Sequence, residues 1–302
     1  MLIWRFTLGT LFVVAFLVVC GFDVHAARPG TFLLPLAVVL SLLSAGELVA
    51  MFRKRGHTLL AWPIYAGTAF TVLAAAAPVF YPPAAADIIV GQLGWLGLGL
   101  IVALSVAIVA EMVRYNGSGT ATTNVALSWL AILYAGGLMG VFVQLRLIIC
   151  AASTAGLARE NHWAMHMLLV FIFTVKISDI GQYAFGRIFG KHKLAPQISP
   201  GKTWEGAVGG VLLGSAVGAA LILLALRTSP DTPTMIATTL YVVSLCIAGI
   251  IGDLAESMLK RDAGVKDSST WMPGFGGVLD LLDSLLGAAP VAYLFWAMHW
   301  IG

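Results

Sequence analysis

The chain has 302 residues, of which 60% are hydrophobic and 10% charged, with a net charge of +3. This composition excludes an ordinary soluble domain, and the small net charge gives no reason to expect a nucleic acid partner. Apolar runs of roughly 18 or more residues recur along the chain, each long enough to cross a bilayer core of about 30 Å. Because such runs are too long for barrel strands, we predict an all-α, polytopic membrane protein.

Hydropathy predicts about nine membrane-spanning helices, at roughly 2–20, 31–50, 58–80, 88–110, 124–149, 164–186, 206–226, 235–253 and 283–301. The first of them resembles a signal peptide, with Arg5 ahead of an apolar run, but further apolar runs follow at once and favour an uncleaved span. We divide the chain into N-terminal helices at 1–160 and a C-terminal region at 161–302 that carries both polar motifs.

Lysine and arginine collect in the gaps that follow the even-numbered spans, which predicts a cytoplasmic N-terminus. Both long polar gaps, 187–205 and 254–282, then face the cytoplasm. In the seventh span, the small residues Gly210, Gly214 and Gly218 predict a face for helix packing or for a dimer. Glu47, near the end of the second span, either lines a site or faces another helix; the sequence does not choose.

The first polar motif begins in the sixth span, where Lys176 and Asp179 lie three residues apart. Charges inside membrane spans are usually functional, although a structural ion pair explains them equally simply. Downstream, "GKT" at 201–203 resembles the end of a P-loop, but Pro196 occupies the position of the required glycine. A P-loop also joins a strand to a helix, whereas this segment joins two membrane spans, so we reject that interpretation.

Ser199 and Pro200 suit the N-cap and the first position of a helix. They predict that the seventh helix begins there, with its N-terminus and Lys202 forming an anion site.

The second polar motif is "SMLKRDAGVKDSSTWMPGFGGVLDLLD" at 257–283. If the eighth helix continues past its apolar run, Asp253, Ser257 and Lys260 share one of its faces. The Gly- and Ser-rich part is expected to be a loop, and Asp280 and Asp283 follow it, three residues apart in the ninth helix. Carboxylates are the hard ligands that Mg²⁺ prefers, and basic side chains bind phosphate. The pattern favours a metal and phosphate site over a purely structural salt-bridge network, and its predicted members are Asp253, Asp280, Asp283, Lys202, Lys260, Arg261 and Lys266.

The two motifs together, "SDIGQYAFGRIFGKHKLAPQISPGKTWEG" and "GDLAESMLKRDAGVKDSSTWMPGFGGVLDLLDS", resemble those of the phosphatidate cytidylyltransferases. The resemblance implies cytidylyl transfer from CTP to phosphatidic acid, giving CDP-diacylglycerol and pyrophosphate. It implies catalytic roles for Asp253, Asp280, Lys260 and Arg261. It also implies that Asp253, Asp280 and Asp283 hold Mg²⁺, and it leaves open whether a monovalent ion joins them. The implied substrate-binding residues are Asp179, Ser199, Lys202, Glu205, Ser257, Lys266 and Asp267.

Two positions depart from the family pattern, which usually has histidine at Phe275 and arginine at Leu281. They keep open a related CTP-using transferase that acts on another lipid phosphate or a polyprenol, and a non-catalytic scaffold; a transporter is disfavoured because no repeated halves are visible. We expect a location in a bacterial inner membrane, with the site facing the cytoplasm. The implied partners are CTP, a lipid phosphate and the bilayer, and a homodimer stays open.

Overall fold

A computed structural model describes residues 2–80, 88–117, 119–151, 157–226, 231–271, 276–298 and 300. Its first seven helices are α1 (Leu2–Val24), α2 (Leu33–Lys54), α3 (Ala61–Ala75), α4 (Ala77–Phe80), α5 (Ile88–Val113), α6 (Ala121–Ala131) and α7 (Leu138–Ala151), with a π-helical turn, Ile132–Gly137, between α6 and α7. The remaining elements are α8 (Leu157–Phe189), β1 (Lys193–Ala195), β2 (Ser199–Thr203), α9 (Trp204–Leu226), α10 (Thr232–Asp262) and α11 (Val278–Ala297).

The predicted all-α membrane fold is confirmed. Eight helical stretches among the described residues are long and apolar enough to cross a membrane, and a shorter apolar stretch of α1, Gly9–Val24, precedes them. These nine stretches fall where the hydropathy pattern places nine spans. The chain is therefore an integral membrane protein.

Packing divides the chain into two units. The first comprises Met1–Met165 together with Ala263–Leu281, and the second comprises His166–Asp262 together with Leu282–Gly302. The loop between the last two spans thus belongs with the N-terminal helices, whereas most of both neighbouring helices belong to the second unit.

In the first unit, α3 packs against α2, α5 and the π-helical turn. Its core contains Leu48, Ile64 and Ile132, which are fully buried. A buried ion pair, with Arg146 Nη2 2.9 Å from Asp23 Oδ2, connects α7 to the end of α1. Asp23 also accepts hydrogen bonds from the backbone amides of Phe32 and Leu33, so it caps the start of α2.

In the second unit, the glycines of α9 lie against α8 and α10. A Cβ added to Gly210 would lie 2.6 Å from the carbonyl oxygen of Ser178, and one added to Gly214 would lie 2.8 Å from that of Thr174. Gly218 contacts Thr174 as well. Helices approach this closely only where side chains are small. The glycine face of α9 therefore packs against helices of the same chain, which is the helix-packing role of the two that the sequence predicted.

The prediction that the seventh helix begins at Ser199 and Pro200 is wrong. Ser199–Thr203 is a strand that pairs antiparallel with Lys193–Ala195, and α9 begins at Trp204. The residue that caps α9 is Thr203, whose hydroxyl accepts a hydrogen bond from the Gly206 amide at 3.1 Å. Proline at position 200 is compatible with this short two-stranded hairpin because both strands are at its edges.

Candidate active site

An ion pair joins the two polar motifs within the second unit. Lys202 Nζ on β2 lies 2.8 Å from Asp253 Oδ2 on α10, and both side chains are partly exposed. The sequence predicted Lys202 as a phosphate ligand and Asp253 as a metal ligand, and the structure brings the two together. Ser257, one turn further along α10, donates to Asp253 Oδ1 at 3.3 Å, which confirms the predicted shared helix face.

Helices α10 and α11 approach very closely beside this pair. A Cβ added to Gly252 would lie 2.8 Å from the Cα of Gly287 and 2.6 Å from the carbonyl oxygen of Asp283. The buried Asp283 side chain is consequently near enough to Asp253 for their charges to interact. Two of the three acids predicted to hold a metal are therefore neighbours.

The intramembrane pair predicted in α8 is present and is extended by a serine. Lys176 Nζ lies 3.4 Å from Asp179 Oδ2. The fully buried Ser284 on α11 accepts from Lys176 at 2.9 Å and donates to Asp179 at 2.7 Å. The hydroxyl thus satisfies both charged groups and fixes them to α11. Sequence reasoning missed Ser284 because its partners lie more than a hundred residues away.

Lys260 and Arg261 of the second motif have structural partners in α10 and the hairpin. Lys260 Nζ lies 2.5 Å from the carboxylate of Glu256, and both side chains are buried. Arg261 Nε donates to the carbonyl oxygen of Ile198 at 3.1 Å, in the turn of the hairpin. Arg261 therefore holds the hairpin against α10, and the catalytic roles of Lys260 and Arg261 stay predictions.

Glu205 lies in the first turn of α9 and closes the base of the hairpin. Its carboxylate accepts a hydrogen bond from the backbone amide of Lys191 at 3.1 Å and contacts His192 Nδ1 at 2.6 Å. These contacts give Glu205 a structural role beside the predicted substrate-binding one. Ser199 is half-buried at the start of β2, opposite Ala195.

In the first unit, Asp280 is held by the loop that precedes it. Its Oδ2 accepts hydrogen bonds from the backbone amide of Ser268 at 2.9 Å, from the Ser268 hydroxyl at 2.7 Å and from the Gly277 amide at 2.8 Å. Gly276 has a φ of +84°, a conformation that glycine adopts without strain. An added Cβ there would lie 2.5 Å from Asp280 Oδ2, so the loop fits closely around this carboxylate.

The other predicted residues of this loop are exposed. Lys266 and Asp267 lie in the irregular segment between α10 and α11, as expected for a Gly- and Ser-rich stretch. Leu281, one of the two departures from the family pattern, is also exposed. Phe275, the other departure, lies outside the described residues.

Carboxylates of the second unit have the oxygen donors that a magnesium ion prefers. Among the residues that the structure describes, no three His, Cys, Asp or Glu side chains are grouped so as to hold a metal by themselves. Mg²⁺ in phosphate-transferring sites is usually bound by one or two carboxylates, with phosphate oxygens and water completing its shell. The neighbouring carboxylates of Asp253 and Asp283 fit that kind of site.

The fold and its polar clusters define a helical membrane protein whose charged residues concentrate in its C-terminal motifs. A sequence model of the Cytidylyltransferase family matches residues 7–299. The match covers nearly the whole chain, and the chain therefore belongs to this family.

Similar proteins agree with that assignment. The chain is 46% identical over 131 residues to a phosphatidate cytidylyltransferase of Brucella suis, a match that covers 43% of this chain and 47% of the relative. It is 39% identical over 137 residues to that of Haemophilus influenzae, covering 45% and 48%. The chain thus spans about half the length of these curated relatives. The phosphatidate cytidylyltransferase of Mycobacterium leprae is 32% identical over 249 residues, covering 82% of this chain and 74% of the relative.

Proposed function

We propose that the chain transfers the cytidylyl group of CTP to phosphatidic acid, forming CDP-diacylglycerol and pyrophosphate in phospholipid biosynthesis. The observation that carries the proposal is the Lys202–Asp253 pair, because it joins the two motifs into one charged cluster at 2.8 Å. Membership of the Cytidylyltransferase family supports the type of reaction. The names of the relatives support phosphatidic acid as the acceptor.

The reaction needs little proton transfer from the protein. A phosphate oxygen of the lipid, already anionic at neutral pH, attacks the α-phosphorus of CTP and forms a new P–O bond. The bond from that phosphorus to the oxygen bridging it to the β-phosphate breaks, and pyrophosphate leaves. The obstacles are the approach of two anions and the charge on the leaving group, so catalysis depends on positioning and electrostatics.

The residues of the second unit suit these demands. The Lys202 side chain is partly exposed, but its Nζ is buried against Asp253. When CTP binds, this ammonium would exchange part of that contact for a triphosphate oxygen. Lys176 lies in the adjacent Asp179–Ser284 cluster and adds positive charge. Within this unit we assign phosphate binding to Lys202, Lys260 and Arg261, and orientation of the substrates to Asp179, Ser199, Glu205 and Ser257. Lys266 and Asp267 belong to the first unit, and their part in substrate binding stays a prediction from the sequence.

Asp253 and Asp283 would hold Mg²⁺, and we retain Asp280 as its third predicted ligand. The bound ion would neutralise the triphosphate and the leaving pyrophosphate. We place the reaction on the cytoplasmic side of a bacterial inner membrane, where CTP is available, with the lipid tails lying between the helices. We keep a homodimer as a proposal.

Purified protein in detergent micelles tests the proposal with CTP, Mg²⁺ and one acceptor at a time: phosphatidic acid, lysophosphatidic acid or a polyprenyl phosphate. We expect CDP-diacylglycerol and an equal amount of pyrophosphate with phosphatidic acid, and loss of both products when EDTA removes Mg²⁺. Product with the polyprenyl phosphate alone would assign a different acceptor. No product with any acceptor would contradict catalysis and favour the scaffold interpretation.

A further inference from the structure

The buried carboxylate of Glu47 lies at the start of α11, although Glu47 itself is on α2. Its Oε1 accepts from the backbone amide of Val278 and its Oε2 from that of Leu279, each at 2.9 Å. These are among the amides at a helix start that have no partner within the helix. A negative charge is also favourable at this end of the helix dipole. Glu47 thus fixes the first turn of α11 from another helix.

The same carboxylate holds the loop that leads into α11. Glu47 Oε2 lies 2.6 Å from the hydroxyl of Ser268, and Oε1 lies 3.3 Å from Trp271 Nε1. A Cβ added to Gly277 would collide with Glu47 Oε2 and with the Ser268 hydroxyl. A side chain at position 277 would therefore displace Glu47 or Ser268 from these contacts.

Ser268 connects Glu47 to Asp280. Its hydroxyl lies 2.6 Å from Glu47 Oε2 and 2.7 Å from Asp280 Oδ2, and its single hydrogen can point at only one of them. The backbone amides supply the other hydrogen bonds: those of Ser268 and Gly277 to Asp280, and those of Val278 and Leu279 to Glu47. One serine and one helix turn therefore set the positions of both carboxylates together.

We propose that Glu47 is a positioning residue for the cytidylyl transfer, which orients the Asp280 carboxylate through Ser268 and the first turn of α11. This inference rests on the proposed function. It gives the N-terminal helices a part in the reaction, because α2 supplies the group that fixes a residue of the C-terminal motif. Partners of this kind hold a reacting or metal-binding side chain in place, and their loss typically costs about 10- to 100-fold in activity or metal affinity.

Glu47→Gln is the informative change because it keeps the shape and removes the charge. An amide group has one oxygen, so its NH₂ would face at least one of the N–H donors that Glu47 now satisfies. Glu111→Gln is the matched control: Glu111 is equally buried in the first unit, but it accepts from Asn124 at 2.8 Å and pairs with Arg114 at 3.2 Å.

A second pair of variants keeps the test valid even if Glu47→Gln does not fold. Ser268→Ala deletes the hydroxyl shared by the two carboxylates. Ser269→Ala deletes the neighbouring hydroxyl, which accepts a hydrogen bond from the Trp271 amide at 3.4 Å. Two measurements are made on each variant: kcat and KM for CTP over a range of Mg²⁺ concentrations, and hydrogen–deuterium exchange of peptides covering 263–281.

We expect Glu47→Gln and Ser268→Ala to lower kcat by about 10- to 100-fold, to leave KM for CTP within about threefold, and to accelerate exchange in 263–281. Glu111→Gln and Ser269→Ala should do neither. Faster exchange with a kcat within twofold of the parent would overturn the positioning role, as would a reduced kcat with unchanged exchange. If the parent itself makes no CDP-lipid, the proposed function fails. The exchange data still decide whether Glu47 holds the loop.

Discussion

Lys202 and Asp253 form an ion pair of 2.8 Å between the hairpin and α10, and this pair is one of the contacts through which the two motifs meet. If the pair acts as one unit in the reaction, the two side chains should not contribute independently. We expect Lys202→Gln and Asp253→Asn each to lower kcat/KM by about 100-fold. The kcat/KM of the double variant should be only a few-fold below that of the less active single variant.

Lys193→Gln is the control for the pair, because Lys193 is an exposed lysine of the same hairpin. It should retain activity within about threefold of the parent, since a solvated surface charge contributes little. If the fold-losses in kcat/KM of the two single variants multiply in the double variant, Lys202 and Asp253 act separately.

Gly252 and Gly287 allow α10 and α11 to touch next to two acids of the site. Gly252→Ala should force the helices apart, because the added Cβ would lie 2.8 Å from the Cα of Gly287. We expect loss of activity and a lower melting temperature in detergent. Gly97→Ala in α5, where an added Cβ has no neighbour within 4 Å, should instead stabilise the fold by about 0.4–1 kcal/mol. Equal melting temperatures for both variants would refute the close approach.

Ser284 is expected to matter more than an ordinary buried serine. Ser284→Ala removes the hydroxyl that bonds both Lys176 and Asp179, so we expect a loss of about 1–3 kcal/mol in the free energy of unfolding. A lower rate should accompany it, because the charged pair loses its connection to α11. Ser105→Ala, whose hydroxyl bonds only its own helix at Ile101, is the control in the same thermal assay. A Ser284 variant as stable as this control would remove the serine from the cluster.

Thr203 is expected to stabilise the start of α9. Thr203→Val keeps the shape and loses the hydroxyl that accepts from the Gly206 amide, which should cost about 1 kcal/mol of stability. Thr203→Ser keeps the hydroxyl and should remain close to the parent. If Ser199→Ala destabilised the protein and Thr203→Val did not, the helix start at Trp204 would be in error.

The membrane spans were predictable because each depends on a local property. An apolar run of sufficient length must form a helix in lipid, and the nine predicted spans correspond to helices. The continuation of α10 to Asp262 meets the condition under which Asp253 and Ser257 were expected to share one helix face.

The hairpin was not predictable on the same basis. Its strands have three and five residues, too few for an alternating pattern to stand out. Ser199 followed by Pro200 imitates a helix start, but Thr203, directly before the apolar run, is the residue that caps it.

Contacts between residues far apart in the sequence were also not predictable. Glu47 contacts Ser268 and Val278, more than two hundred residues further along the chain, and no local sequence pattern predicts such a contact. The available signal was a lone carboxylate inside an apolar helix, since a charge there is costly unless it has partners.

The most direct test of cytidylyl transfer follows the two ends of CTP separately. CTP labelled at the α-phosphate or at the γ-phosphate is incubated with the purified protein, phosphatidic acid and Mg²⁺, beside the Asp280→Asn variant. Our account predicts that the α-label enters the lipid and the γ-label leaves as pyrophosphate, and that the variant yields almost no labelled lipid. Transfer of the γ-label to lipid, or equal labelling of lipid by the parent and Asp280→Asn, would contradict it.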